Sequence, residues 1–265
     1  MSQTSERPTL YLSPRYTPDS VALWRQGIAD GWIVERLQSR THRPAPTPRA
    51  AVYGEPFFAR DVAASMSMGL LEPPFSWLTT LPLDLTNRAI RFTTLSDGRK
   101  LTSPSFVKPA DDKCFDAQVY QTGDELPGDD HLDGSAPILI SEVVNWLSEF
   151  RCFVLDGTVV TLSVYLRNGE LAQVEDGSWP ATKDEIDEAQ RFAERVIDTV
   201  GMPPAVVLDV GVIDGAGWSV VEANPAWGAG IYGCDPAAVL RVLGRSCVSM
   251  ETLSVDDACW LIGGE

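Results

Sequence analysis

The chain has little of what many catalytic and binding classes require. Histidine occurs twice in 265 residues, at His42 and His131, far apart in sequence. A histidine-rich zinc site or a His-based triad has little to build on. Cysteine occurs five times, at 114, 152, 234, 247 and 259, an odd number without a C-x-x-C pair. That usage points to reduced thiols in a cytoplasm, not to a disulfide framework. Basic residues are outnumbered, 21 Lys and Arg against 37 Asp and Glu, for a formal net charge of −16. This argues against a surface that neutralises nucleic-acid phosphates. Apolar runs stay short of the roughly 20 residues that cross a bilayer. MSQTSERPTL, the opening stretch, lacks the basic and apolar regions of a signal peptide. The expectation is a cytoplasmic protein whose partners include neither nucleic acid nor membrane.

What is present is an ordinary globular composition, 44% hydrophobic, with length for one large domain or two small ones. The first part reads as small α/β structure. Strands are expected at Thr9 to Leu12, Gly31 to Val34 and Ala50 to Tyr53, with helices at Ser20 to Ala29 and Pro56 to Gly69. A proline-rich loop, RTHRPAPTPR, fills 40–49. From about Phe92 the texture turns to β. Phe106 to Pro109 is a short strand stopped by proline, and Pro137 to Val144 is an apolar one. Between them GDELPGDDHLDGS (123–135) reads as a solvated, mobile loop. EFRCFVLDGTVVTLSVY (149–165) is a hairpin turning at Asp156-Gly157. Thr182 and Glu185 form a capping box for an amphipathic helix to Val200, ended by Gly201.

The chemistry concentrates near the C-terminal third. AVVLDVGVI (205–213) and WSVVEA (218–223) are apolar strands joined by Asp214-Gly215-Ala216-Gly217. Centring the turn on Gly215-Ala216, with two or four loop residues, places Asp209 opposite Glu222. Asn224 then lies on the same face. Two carboxylates across a ladder repel, and burying either is costly. A cation between them would remove the conflict, and one or two carboxylates with few other hard ligands suit Mg²⁺. A solvent-facing strand end, or a bulge that parts the pair, is the competing reading. Downstream, GAGIYG (228–233) spells G-x-G-x-x-G, the dinucleotide fingerprint. It does not follow a strand directly, and only 32 residues come after Gly233. It reads instead as a turn into a helix from Asp235 to Leu243.

Glu222-x-Asn224 after a strand carrying Asp209 resembles the metal-binding end of ATP-grasp enzymes. Phe106-Val107-Lys108-Pro109, Ile138 to Val144, and Glu149-Phe150-Arg151-Cys152-Phe153-Val154 resemble further segments of that superfamily, in the same order. Together with DVGVIDGAGWSVVEANP, they are similar to a divergent clade. It includes the eukaryotic cell-division-cycle factor that assists assembly of a translation initiation factor, as well as bacterial and phage predicted ligases. The resemblance spans about Phe92 to Arg245. It implies an α/β (α+β) chain with an ATP-grasp domain of two β-rich subdomains at 92–265. A small α/β pre-grasp domain would precede it at 1–91.

The resemblance also implies roles. Lys108 and Lys113 would hold nucleotide phosphates, and Glu142, Val143 and Val144 would form the hinge that reads adenine. Glu149 would bind ribose, and Asp209, Glu222 and Asn224 would hold Mg²⁺. Arg151 would steady a carboxylate or the transferred phosphoryl group. From the residues alone, Lys108 also fits an edge-strand lysine, and Glu149 and Arg151 fit a structural ion pair. Trp227 is a candidate to line a substrate cleft. The family's usual basic residue two positions before the metal-binding Asp is absent, since Val207 stands there.

The implied reaction is ATP-dependent ligation of a carboxylate to an amine or thiol through an acyl phosphate, with a small molecule, peptide or protein as the acyl substrate. An ATP- and Mg²⁺-binding assembly factor with little turnover is the alternative.

Overall fold

The computed structural model describes residues 7–45, 47, 49–110 and 114–261. These fall into two compact units. One takes Met1–Pro74, Ser148–Val210 and Val221–Glu265, and the other takes Phe75–Leu147 and Gly211–Val220.

The first unit begins with β1 (Thr9–Leu12), α1 (Pro18–Ala29), β2 (Ile33–Arg36), β3 (Ala50–Tyr53), α2 (Pro56–Ser65) and β4 (Met68–Leu70). The first three strands form a parallel sheet in the order β2-β1-β3. Helix α1 starts on a capping box, Thr17 and Ser20, with Pro18 in its first turn. The second strand begins two residues later than the sequence suggests, because Gly31 is left-handed (φ 77°) and belongs to the turn after α1. Helix α2 is also shorter than expected. Ser67 takes a left-handed φ of 57°, which breaks the helix and sends the chain into β4.

The second unit holds two short helical segments, α3 (Leu83–Thr86) and α4 (Leu95–Gly98), and a four-stranded sheet. Its strands are β5 (Ile90–Thr94), β6 (Ser105–Pro109), β7 (Gln118–Tyr120) and β8 (Pro137–Ser141), in the order β5-β8-β6-β7. Leu95, Val107, Tyr120, Leu126, Ile138 and Ile140 make its core. Strand β6 is an inner strand, with Lys108 opposite Leu139 of β8, so the edge-strand explanation of that lysine fails. The acidic loop 123–135 is pinned rather than loose. The Arg99 guanidinium donates to the carbonyls of Pro127 and Leu132, each at 2.8 Å, and pairs with Asp129. Strand β8 stops at Ser141, three residues short of the expected end. Glu142 leaves the ladder to bond Ala89 through both its N–H (3.1 Å) and its carboxylate (2.8 Å).

The chain returns to the first unit along β9 (Trp146–Leu155), β10 (Thr158–Arg167) and β11 (Glu170–Leu171), then α5 (Lys183–Thr199). Strands β12 (Ala205–Ile213) and β13 (Gly217–Pro225) follow, then α6 (Pro236–Ser246), β14 (Cys247–Ser249) and α7 (Val255–Ala258). A five-stranded sheet runs β11-β10-β9-β12-β13, and β14 pairs with β4. The capping box of α5 forms as the sequence indicates. Gly201 does not end it, however. The cap residue Val200 is extended (φ −133°), and Pro203 and Pro204 follow. Between β12 and β13 three residues remain, closed by the Ala216 N–H to the Ile213 carbonyl with Gly215 and Gly217 at positive φ. Trp227 is 1% exposed and donates to the Leu71 carbonyl at 3.1 Å, so it belongs to the core and lines no cleft. It packs with Leu10, Val52, Phe153, Leu240 and Leu243 in one apolar cluster. Each such burial contributes roughly 1.5–3 kcal/mol. No helix among the described residues is long and apolar enough to cross a membrane.

The β9–β10 turn has Asp156 at φ 46° and Gly157 at φ 78°, the left-handed pair a two-residue hairpin demands. An added Cβ at Gly157 would meet only Ile197, at 3.8 Å, so space is available and the backbone alone resists substitution. Gly157→Ala should lower stability by about 1–2 kcal/mol in urea denaturation. An unchanged midpoint would show that the turn relaxes freely.

Candidate functional site

Within the first unit a buried arginine organises a cluster of acids and aromatic rings. Arg151 lies on β9 and Asp209 on β12. The arginine grips the carboxylate as a fork, Nε to Oδ1 at 2.9 Å and an Nη to Oδ2 at 2.6 Å. Asp209 is 0% exposed and Arg151 6%. Burial alone would lower the pKa of the arginine. The charge of Asp209 and its hydrogen bonds overcome that and hold it above the ordinary guanidinium value. A third donor from Arg151 reaches the Gly230 carbonyl at 2.9 Å. Its guanidinium carbon lies 4.8 Å from the Tyr232 ring centre and 5.2 Å from that of Tyr165.

Asn224 links the two acids that the sequence set apart from their strands. Its amide nitrogen donates to Asp209 Oδ2 at 3.2 Å and to Glu222 Oε1 at 2.8 Å. The like-charge conflict is thus met inside the protein, by a guanidinium on one carboxylate and an amide between the two.

Glu149 sits on β9, buried, and accepts from the Tyr165 hydroxyl at 2.7 Å. It shares no ion pair with Arg151 in this arrangement, so the pairing suggested by their common face is replaced by two separate partners. Tyr165 reaches it because the β9–β10 ladder carries a bulge between Val164 and Leu166. Burial, then the charges of Asp209 and Glu149, raise the pKa of that phenol.

The glycine loop closes the cluster. Tyr232 has a left-handed φ of 47°, unusual for a bulky side chain. Its ring stacks on Tyr165 (5.0 Å, 19°) and meets Trp179 edge-on (5.3 Å, 71°). The Ile231 N–H donates to Asp19 Oδ2 at 3.0 Å, and the Tyr53 hydroxyl reaches the same oxygen at 3.4 Å. Gly230 to Tyr232 is therefore a fastened connection leading to α6, whose N-cap is Asp235.

The fold thus brings Arg151, Asp209, Glu222 and Asn224 together, with Glu149 joined through Tyr165. Lys108, Glu142, Val143 and Val144 lie in the second unit. Glu142 and Val143 are exposed in the non-strand link that follows β8. Lys113 lies outside the described residues. Sequence reasoning missed Tyr165, Tyr232, Trp179, Asp19 and Tyr53. Only Tyr232, set among glycines, carried a local signal. The cysteines stand apart from chemistry. Cys152 and Cys234 are buried, and burial raises both thiols, Cys234 to about 12.

Asp209, Glu222 and Asn224 offer two carboxylates and a carboxamide, hard donors of the kind that suit Mg²⁺. The Asn224 amide nitrogen already occupies the point on which both carboxylates converge, which is where positive charge is favoured. A half-turn of the amide would present its oxygen instead. The set therefore fits a divalent cation. Among the described residues no three His, Cys, Asp or Glu side chains form a metal group by themselves, so Asn224 and oxygens from outside the protein would complete it.

Two β-rich parts after an α/β start, with acid and Glu-x-Asn on neighbouring strands, define a protein of the ATP-grasp class. More particularly, residues 85–242 match the profile of an ATP-grasp domain, family 2 of its clade, and the chain belongs to that family. Solved structures agree on the fold. A RimK-domain ATP-grasp protein from Sphaerobacter thermophilus is 13% identical with a TM-score of 0.53, over 89% of this chain and 98% of that one. N5-carboxyaminoimidazole synthetase from Staphylococcus aureus is 14% identical with a TM-score of 0.53, over 92% and 80%. D-alanine–D-alanine ligase from Bacillus anthracis is 11% identical with a TM-score of 0.52, over 91% and 96%. No curated protein matches the sequence.

Proposed function

We propose that this protein is an ATP-dependent ligase that joins a carboxylate to an amine or thiol by way of an acyl phosphate. The observation that carries the reading is the linked set Asp209, Glu222 and Asn224, secured by Arg151, in a chain of the ATP-grasp family. The ligase names among the structurally similar proteins are consistent with it.

In this reading Asp209, Glu222 and Asn224 hold Mg²⁺, which would neutralise phosphate charge. Lys108 supplies a compact counter-charge to the phosphates, and Lys113 is the second candidate for that task. Glu142, Val143 and Val144 meet the adenine, and Glu149 takes the ribose. The acyl substrate's carboxylate attacks the γ-phosphorus and ADP leaves. The acceptor then attacks the acyl carbon and phosphate leaves. Arg151 holds Asp209 fixed throughout. Such catalysis is positioning plus charge neutralisation and needs no protein nucleophile. Residues 92–265 would form the ATP-grasp domain and 1–91 the pre-grasp domain.

The test is a screen of amino acids and peptides for stimulated release of phosphate and ADP, run beside ATP-binding isotherms. A substrate should stimulate release. Lys108→Met should weaken ATP binding by about 1–3 kcal/mol, the value of a hydrogen bond to a charged group. Tight ATP binding without release for any carboxylate would favour the assembly-factor function over ligation.

A further inference from the structure

The Arg151–Asp209 fork bears directly on how a cation could load beside it. Both oxygens of a fully buried carboxylate already accept from one guanidinium, and one of them accepts from Asn224 as well. Counting Arg151, Asp209 and Glu222, the formal charge at this point is −1 rather than −2. The arginine cannot withdraw cheaply. It is tied to the Gly230 carbonyl at 2.9 Å and flanked by the rings of Tyr165 and Tyr232, and Tyr232 is itself wedged against Trp179.

We propose that Arg151 is a positioning residue that stands in for a divalent cation at Asp209 and so makes cation binding there conditional on nucleotide phosphate. A divalent cation arriving alone must share Asp209 with a fixed positive group and finds only one net negative charge. The same cation arriving with a polyphosphate brings its own anionic oxygens, and the balance reverses. Coulomb interactions in a site of low effective dielectric are large enough for one charge to decide this. The site would then resist filling by free cation and load only as the nucleotide complex. The inference rests on the proposed cation-holding role of Asp209, Glu222 and Asn224. A purely structural ion pair would affect stability but would not set the nucleotide dependence of metal affinity.

The experiment measures Mn²⁺ binding to the full chain by calorimetry and by the paramagnetic resonance of free Mn²⁺, with and without a non-hydrolysable ATP analogue. Wild-type protein should bind Mn²⁺ at least about tenfold more tightly with the analogue, beyond what the analogue binds in buffer. Arg151→Met should bind Mn²⁺ alone about tenfold or more tighter than wild type, and its dependence on the analogue should shrink. Arg151→Lys keeps the charge but loses the fork, and should fall between the two. It also serves where Arg151→Met does not fold. Adding Glu222→Gln to either variant should erase the gain. Equal nucleotide-free affinity in wild type and both variants overturns the proposal while leaving the cation site standing. A gain that survives Glu222→Gln places the metal elsewhere and also overturns it. Absence of Mn²⁺ binding in every form, even with the analogue, overturns the cation site and this inference together.

Discussion

Asp209→Ala should lower the unfolding free energy by about 3–5 kcal/mol, the usual cost of removing one partner from a buried ion pair. The residue lost is a small carboxylate, but the group left behind is a guanidinium only 6% exposed, with two of its donors stripped of their acceptor. Of its hydrogen bonds, the one to the Gly230 carbonyl would remain. Equilibrium urea denaturation measures the loss. The double variant Arg151→Met with Asp209→Ala should recover much of it, because the unpaired charge is then gone as well. A loss below about 1 kcal/mol would mean the pair behaves like one at the surface, where solvent substitutes for the missing partner.

Glu222→Gln should leave nucleotide binding largely intact and cut turnover by about 10²–10³-fold, the range seen when one electrostatic contact to a developing charge is removed. The substitution keeps the shape of the side chain and one oxygen. It keeps a group that can bond Asn224, so folding should survive. What disappears is a half-buried negative charge beside Asp209. The readout is phosphate release with the substrate found by screening, beside ATP isotherms with and without Mg²⁺. Full activity with undiminished Mg²⁺ dependence would remove Glu222 from the cation site.

These two expectations arise at different levels of the chain. The features legible in the sequence are those governed by near neighbours. Asp156-Gly157 makes a hairpin turn because two adjacent residues must both be left-handed. Thr182 and Glu185 cap α5 because their groups lie three residues apart. Glu222-x-Asn224 shares a face because strand side chains alternate, and the structure joins the two side chains directly. The segment order that resembles ATP-grasp enzymes is likewise a linear property, and the family match over 85–242 follows it.

The boundaries that differed turned on distant or local strain. Helix α2 gave way at Ser67, where the chain had to enter the β4–β14 pairing, and β8 gave way where Glu142 bonded Ala89. The shared face of Glu149 and Arg151 was a correct reading of alternation, yet it did not make them partners. A bulge brought Tyr165 to Glu149, and Asp209 came to Arg151 from a strand 58 residues away.

The order of residues was thus enough for the family, the main strands and helices, and the residue types able to hold a cation, because each depends on periodicity, turn chemistry or motif order. How the charge is balanced emerged on folding. With Val207 apolar, the cation beside Asp209 comes from Arg151 on another strand. Asp19 fastens a loop 212 residues away. Burial makes such pairings necessary, since a desolvated carboxylate must find a partner. Spacing along the chain does not say which one it finds.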